Sequence, residues 1–231
     1  MTHPDRTTAL ELWLATPEAA AALDPASLTE AERDEWAGLQ TPRRRRDWAA
    51  SRRLLHAAAA HDTSCARSLS HSHAYAALAL APASTAVGVD IEWLAPREFA
   101  GMAELGFSAA EAAFIASHAE PGKCRAAFYE LWTLKEACAK AFGLHLVDAL
   151  RQCRFVNTRL SWEADVPAAR PWRAIVYAPR PDLRLSLVWT ADALESPLQP
   201  IALREWPPGN TVEWTTVRRF SGQGRLRADA C

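Results

Sequence analysis

The sequence predicts an α+β chain built as two similar halves, and three observations carry that expectation. Capping boxes at Thr29/Glu32 and Ser108/Glu111 announce helices about 80 residues apart. Val87, Val89 and Ile91 alternate with Gly88, Asp90 and Glu92, which is the period of a half-buried strand. From residue 152 onward the pattern is β.

Taken in order, Ala9 to Leu14 reads as a short strand followed by a turn. Ser27 and Thr29 are both N-cap candidates, each with a glutamate three residues on, so a helix is expected to about Gln40. Thr41-Pro42 interrupts it, and a longer helix should cover Pro42 to about Ala60 with Trp48, Leu54 and Leu55 on its apolar side. Residues 68–81 read as a loop feeding a strand. Val87 to Trp93 is a strand ended by Pro96. A helix capped by Ser108 runs to about His118, Pro121-Gly122 breaks the chain, and a long helix spans Lys123 to Phe142 with Gly143 as its C′ residue. Strands follow at 154–156, 159–162, 173–177, 184–190, 201–206 and 211–217, and the last dozen residues read as frayed. The helix–break–helix of 29–60 recurs at 108–142, which divides the chain into halves at 1–97 and 98–231.

Composition narrows the function classes. With 231 residues, 49% of them hydrophobic, the chain can bury a real core. A net charge of −1 lacks the basic footprint of a nucleic-acid binder. The five cysteines are odd in number and include no C-x-x-C pair, so a reducing cytoplasm is expected and a disulfide framework is not. The opening Met-Thr-His-Pro-Asp-Arg has no signal-peptide core, and the longest apolar run, Tyr75 to Ala81, is too short to span a membrane.

Four constellations carry chemistry. Asp90 and Glu92 share one face of their strand, where like charges repel unless a hard divalent cation joins them; the plainer alternative is a solvated edge. Trp132, Glu136 and Lys140 form a stripe along the long helix, able to complete a metal site and meet a phosphate, or simply to form an i,i+4 ion pair, while Lys135 points about 100° away. Ser68-Leu-Ser70-His71-Ser72-His73 is a run of small donors and imidazoles that could hold a phosphate; it also reads as a polar turn or, less well for want of a fourth ligand, half a zinc site with Cys65. Arg43–Arg46, followed by Arg52 and Arg53, opens a helix whose N–H groups favour anions, or is a solvated basic face.

The ordered set resembles the Sfp-type (surfactin-synthetase-type) 4′-phosphopantetheinyl transferases: an Arg-rich helix, S-x-S-H-S, G-V-D-I-E, F-S-x-x-E and W-x-x-K-E-A-x-x-K, spread over residues 27–147. The resemblance implies two similar α/β halves with the active site in the cleft between them. It implies Mg²⁺ on Asp90, Glu92 and Glu136. Ser70, His71 and an arginine among Arg44, Arg45 and Arg46 would meet the 3′-phosphate of coenzyme A, and Lys140 with Lys135 its other phosphates. Glu136 and Lys140 would be the catalytic pair. The acceptor would be a serine of an acyl or peptidyl carrier protein, with no nucleic-acid or membrane partner, and the chain would work as a monomer. The other readings are a non-catalytic coenzyme A or carrier-protein binder, against which all three carboxylates argue, and a metal-dependent phosphohydrolase, whose D-x-D cluster is absent. The chain departs from the family pattern in lacking G-[KR]-P before S-H-S and in carrying His145 where a second glycine follows the helix.

Overall fold

The computed structural model describes residues 10–59, 65–96, 106–157, 162–192, 200–209 and 214–223. Strand β1 (Leu10–Ala15) leads through α1 (Pro17–Ala21) and a 3₁₀ turn to α2 (Glu30–Gly38) and α3 (Pro42–Ala58). Then come β2 (Ala66–Ser72), β3 (Tyr75–Ala81) and β4 (Val87–Trp93). Three helices follow, α4 (Ala109–Ala116), α5 (Pro121–Phe142) and α6 (Leu146–Gln152). The chain closes with β5 (Arg154–Asn157), β6 (Trp162–Asp165), β7 (Trp172–Ala178), β8 (Leu183–Thr190), β9 (Ile201–Trp206) and β10 (Thr215–Gly222). Both capping boxes form, at Thr29/Glu32 and at Ser108/Glu111, and Gly143 ends α5 in the left-handed conformation that a residue without Cβ adopts at no steric cost.

The mixed α/β build expected from the sequence is present. Two four-stranded sheets have the orders β2-β3-β1-β9 and β10-β7-β8-β4, and β5 pairs with β6 in a separate two-stranded sheet. Leu10, Leu12 and Leu14 of β1 meet Val89 and Ile91 of β4 and Leu185 and Leu187 of β8 between the sheets. Each fully buried side chain of this size contributes roughly 1.5–3 kcal/mol. Helix α3 covers the outer face of the first sheet through Ala50 and Leu54 against Trp13 and Leu78. Helix α5 covers the second through Leu131, Leu134 and Cys138 against Ala174, Val176 and Val188. The layers are therefore helix, sheet, sheet, helix. Strands cross between the N- and C-terminal parts of the chain: β4 pairs with β8, and β9 pairs in parallel with β1.

Several expectations change. Residues 68–81 are a hairpin, not a loop and a strand, and its two-residue turn places His73 and Ala74 at φ 52° and 67°. A turn with both residues at positive φ normally announces itself with Asn-Gly or Gly-Gly, and His-Ala carries no such signal. Asp47 on α3 holds it, accepting the Ala74 N–H at 2.6 Å. Trp48 does not face the core: it packs on Trp36 with ring centroids 5.4 Å apart and donates to Glu35 at 2.9 Å, joining α3 to α2. Helix α6 was not expected. Of the remaining expectations, Ala9, residues 159–161 and 211–213, and most of the final dozen residues lie outside the described residues. None of the described helices is long and apolar enough to cross a membrane.

One glycine sets the spacing that matters most. A Cβ on Gly88 would stand 2.0 Å from the Ala137 carbonyl oxygen and 2.6 Å from the Ala141 nitrogen of α5. Both are backbone atoms, which cannot rotate away. Gly88→Ala is expected to push α5 off β4 and to lower stability by about 3 kcal/mol, the upper end of an overpacking cost. Denaturant unfolding of the variant checks this; an unchanged midpoint would contradict the close approach.

Candidate active site

Strand alternation sends Val87, Val89 and Ile91 into the core between the sheets and Gly88, Asp90 and Glu92 toward α5. Because Gly88 lets the helix come so near, the stripe Glu136–Lys140 lands on Asp90. The Lys140 ammonium donates to Asp90 Oδ1 at 2.8 Å and to the Val89 carbonyl at 3.0 Å. The alternative reading of Lys140, an ion pair with Glu136 along its own helix, gives way to a bond across to β4. Asp90 is 2% exposed. Its Oδ1 also accepts from the Ser70 hydroxyl at 2.7 Å, while its Oδ2 is buried without a donor.

Glu136 lies beside this carboxylate. Burial first, then the Asp90 charge, push its carboxyl from 4.5 up to about 8, and the nearby Lys140 ammonium opposes them. Near neutral pH a proton on Glu136 relieves the repulsion, and in that state the acid can donate to Asp90. A small hard cation would do the same, and the orphaned Oδ2 and all-oxygen donors fit one. Glu92 accepts from Ser72 at Oε2, 2.7 Å, and its charge adds a smaller push to the Glu136 carboxyl. Among the described residues no three side chains of His, Cys, Asp and Glu are grouped closely enough to hold an ion. Asp90 and Glu136 are brought together, and the Glu92 charge acts on Glu136 from nearby.

Lys135 requires a correction. It does not reach any place open to a phosphate: its side chain is fully buried, and its ammonium bonds Glu111 Oε2 at 2.9 Å and the carbonyls of Gly106 and Leu150 at 3.1 and 2.7 Å. Burial draws its pKa down, against the pull of Glu111. Glu111 in turn accepts the N–H groups of Ser108 and Phe155 at 2.7 and 2.9 Å. The pair pins α4, α5, α6 and β5 to one another. Lys135→Ala is expected to cost about 3–5 kcal/mol by leaving Glu111 buried and alone, whereas removing both charges in Lys135→Met with Glu111→Gln costs less. A double-mutant cycle by thermal unfolding measures the difference.

The remaining residues divide. Ser70 and His71 are consecutive on β2 and point to opposite faces, Ser70 toward Asp90 and His71 to the side where Leu69 packs under α3. His71, Arg44 and Arg46 are exposed, and Asp47 ties the first turns of α3 to the hairpin that carries His71. Arg45 is engaged elsewhere, donating to the Leu39 carbonyl at 2.8 Å and lying 5.7 Å over the Trp36 ring. Sequence reasoning gave Ser68 and Ser72 no separate role. The available signal was the spacing of three serines at alternate positions.

A family model described as the 4′-phosphopantetheinyl transferase superfamily matches residues 86–165. The matched stretch holds Asp90, Glu92, Glu136 and Lys140, whereas β2 and α3, with Ser70, His71 and the arginines, lie outside it. No curated protein matches the chain.

Proposed function

We propose that this chain transfers 4′-phosphopantetheine from coenzyme A to a serine of an acyl or peptidyl carrier protein, with Mg²⁺ held by Asp90, Glu136 and Glu92. The single observation that carries the reading is the meeting of Asp90, Glu136 and Lys140 inside the matched segment, with one buried carboxylate oxygen lacking a donor. Mg²⁺ there would neutralise charge on the pyrophosphate oxygens as the leaving group forms.

The chain's own residues do the rest. The carrier serine oxygen bonds to the β-phosphorus of coenzyme A, the bond from that phosphorus to the bridging oxygen breaks, and 3′,5′-adenosine diphosphate departs. Glu136, the carboxylate beside Asp90, takes the serine proton. Lys140, whose side chain is one-third exposed, can swing from Asp90 to the transferring phosphate. His71, with Arg44 or Arg46, holds the 3′-phosphate beside the start of α3.

The test is release of 3′,5′-adenosine diphosphate from coenzyme A and Mg²⁺. Release is expected only with an apo-carrier protein present, and none with a carrier whose acceptor serine is alanine. Equal release with both carriers would contradict transfer.

A further inference from the structure

The first sheet ends at β2 and the second at β4, and these two edges face each other without backbone pairing. Outward-pointing N–H groups of β4 find serine hydroxyls instead. Val89 donates to Ser68 at 3.0 Å, Ile91 to Ser70 at 3.3 Å and Trp93 to Ser72 at 3.2 Å. A hydroxyl that accepts still has its own proton to donate. Ser70 directs it at Asp90 Oδ1 and Ser72 at Glu92 Oε2, both at 2.7 Å. Ser68 has no such target, because the corresponding position on β4 is Gly88.

We propose that Ser70 and Ser72 are positioning residues that orient the carboxylates of Asp90 and Glu92 for a divalent cation, and that Ser70 does not contact the nucleotide phosphate. Asp90 has two oxygens and one rotatable head. With Oδ1 fixed by Ser70 and Lys140, Oδ2 is left buried with no hydrogen-bond partner. Groups that orient metal ligands in this way typically change metal affinity by 10–100-fold when removed. Ser70 cannot serve a phosphate on the His71 side without letting go of both Ile91 and Asp90. The inference rests on the metal reading given under the proposed function, and the experiment separates the two.

Mg²⁺ alone is titrated into the full chain by calorimetry, in the wild type and in serine variants. Ser70→Ala and Ser72→Ala are expected to weaken Mg²⁺ by about 10–100-fold, and Ser70→Thr and Ser72→Thr, which keep the hydroxyl, to recover most of it. Ser68→Ala removes the same kind of strand link and is the internal control: its melting temperature should fall as in Ser70→Ala, with Mg²⁺ affinity unchanged. Ser70→Ala should keep the wild-type preference for coenzyme A over dephospho-coenzyme A. Should Ser70→Ala fail to fold, Ser70→Cys, which keeps the size and weakens the donor, carries the same expectation. Wild-type Mg²⁺ affinity in the Ser70 and Ser72 variants, an equal loss in Ser68→Ala, or a lost 3′-phosphate preference in Ser70→Ala would each overturn the inference while wild-type binding leaves the metal reading standing. A wild type that takes no Mg²⁺ overturns both.

Discussion

Asp90→Asn is expected to lower transfer at least about a hundredfold and to remove measurable Mg²⁺ binding, while the metal-free protein melts within a degree or two of wild type. The amide preserves the shape of a buried side chain, and its oxygen still accepts from Ser70. What disappears is the charge. Lys140 loses an ion partner, but it is one-third exposed and water can take over. Glu136 loses the neighbouring charge that helps keep its carboxyl near 8, so the repulsion between the two acids goes. A solvated-edge role for Asp90 forecasts unchanged activity, and a purely structural one forecasts a large drop in melting temperature. Unchanged turnover at millimolar Mg²⁺ would contradict the assignment.

The second large effect is at Glu136, where stability and turnover should move in opposite directions. Its folded carboxyl sits at about 8 against an ordinary 4.5. Between those values the folded state binds more protons than the unfolded one, so the stabilising contribution is full below about 4.5 and is lost as pH rises through about 8. Metal-free wild type should therefore weaken across that window, by an amount on the order of a few kcal/mol. Glu136→Gln has nothing to titrate, so its melting temperature should stay flat there and exceed wild type at pH 8 and above. Turnover should fall at least about a hundredfold, because an amide can neither take the serine proton nor bind the cation as a carboxylate does. Mg²⁺ must displace the Glu136 proton at neutral pH, so wild-type affinity should rise with pH until about 8. Parallel melting curves for wild type and Glu136→Gln over pH 5–9 would contradict the raised carboxyl.

Both predictions rest on residues that the sequence already placed on shared faces. Alternation in Val87–Trp93 was enough to pair Asp90 with Glu92, and helical spacing was enough to align Glu136 with Lys140. The helices of both capping boxes were legible for the same reason: the signal is local. What was not legible depends on contacts between distant segments. Lys135 and Lys140 look alike in the sequence, yet one is enclosed by α4 and α6 and the other reaches β4. Its burial followed from where Glu111 and Leu150 come to lie, which no periodicity in α5 encodes. The serine run looked like a polar turn because a strand edge bonded by hydroxyls lacks the apolar alternation of an ordinary strand. Its meaning emerges only when β2 is set beside β4. The separation of Ser70 from His71 was readable once β2 was known to be a strand.

The most direct test of the whole account is the intact mass of a carrier protein. An apo-carrier protein is incubated with coenzyme A, Mg²⁺ and this chain, then weighed, with Asp90→Asn and Glu136→Gln run alongside. A gain of one phosphopantetheine group on the carrier is expected with wild type, abolished by chelating the metal and reduced at least about a hundredfold in rate by either substitution. Coenzyme A cleaved to free phosphate with the carrier mass unchanged, or a carrier that binds and gains nothing, would contradict transfer.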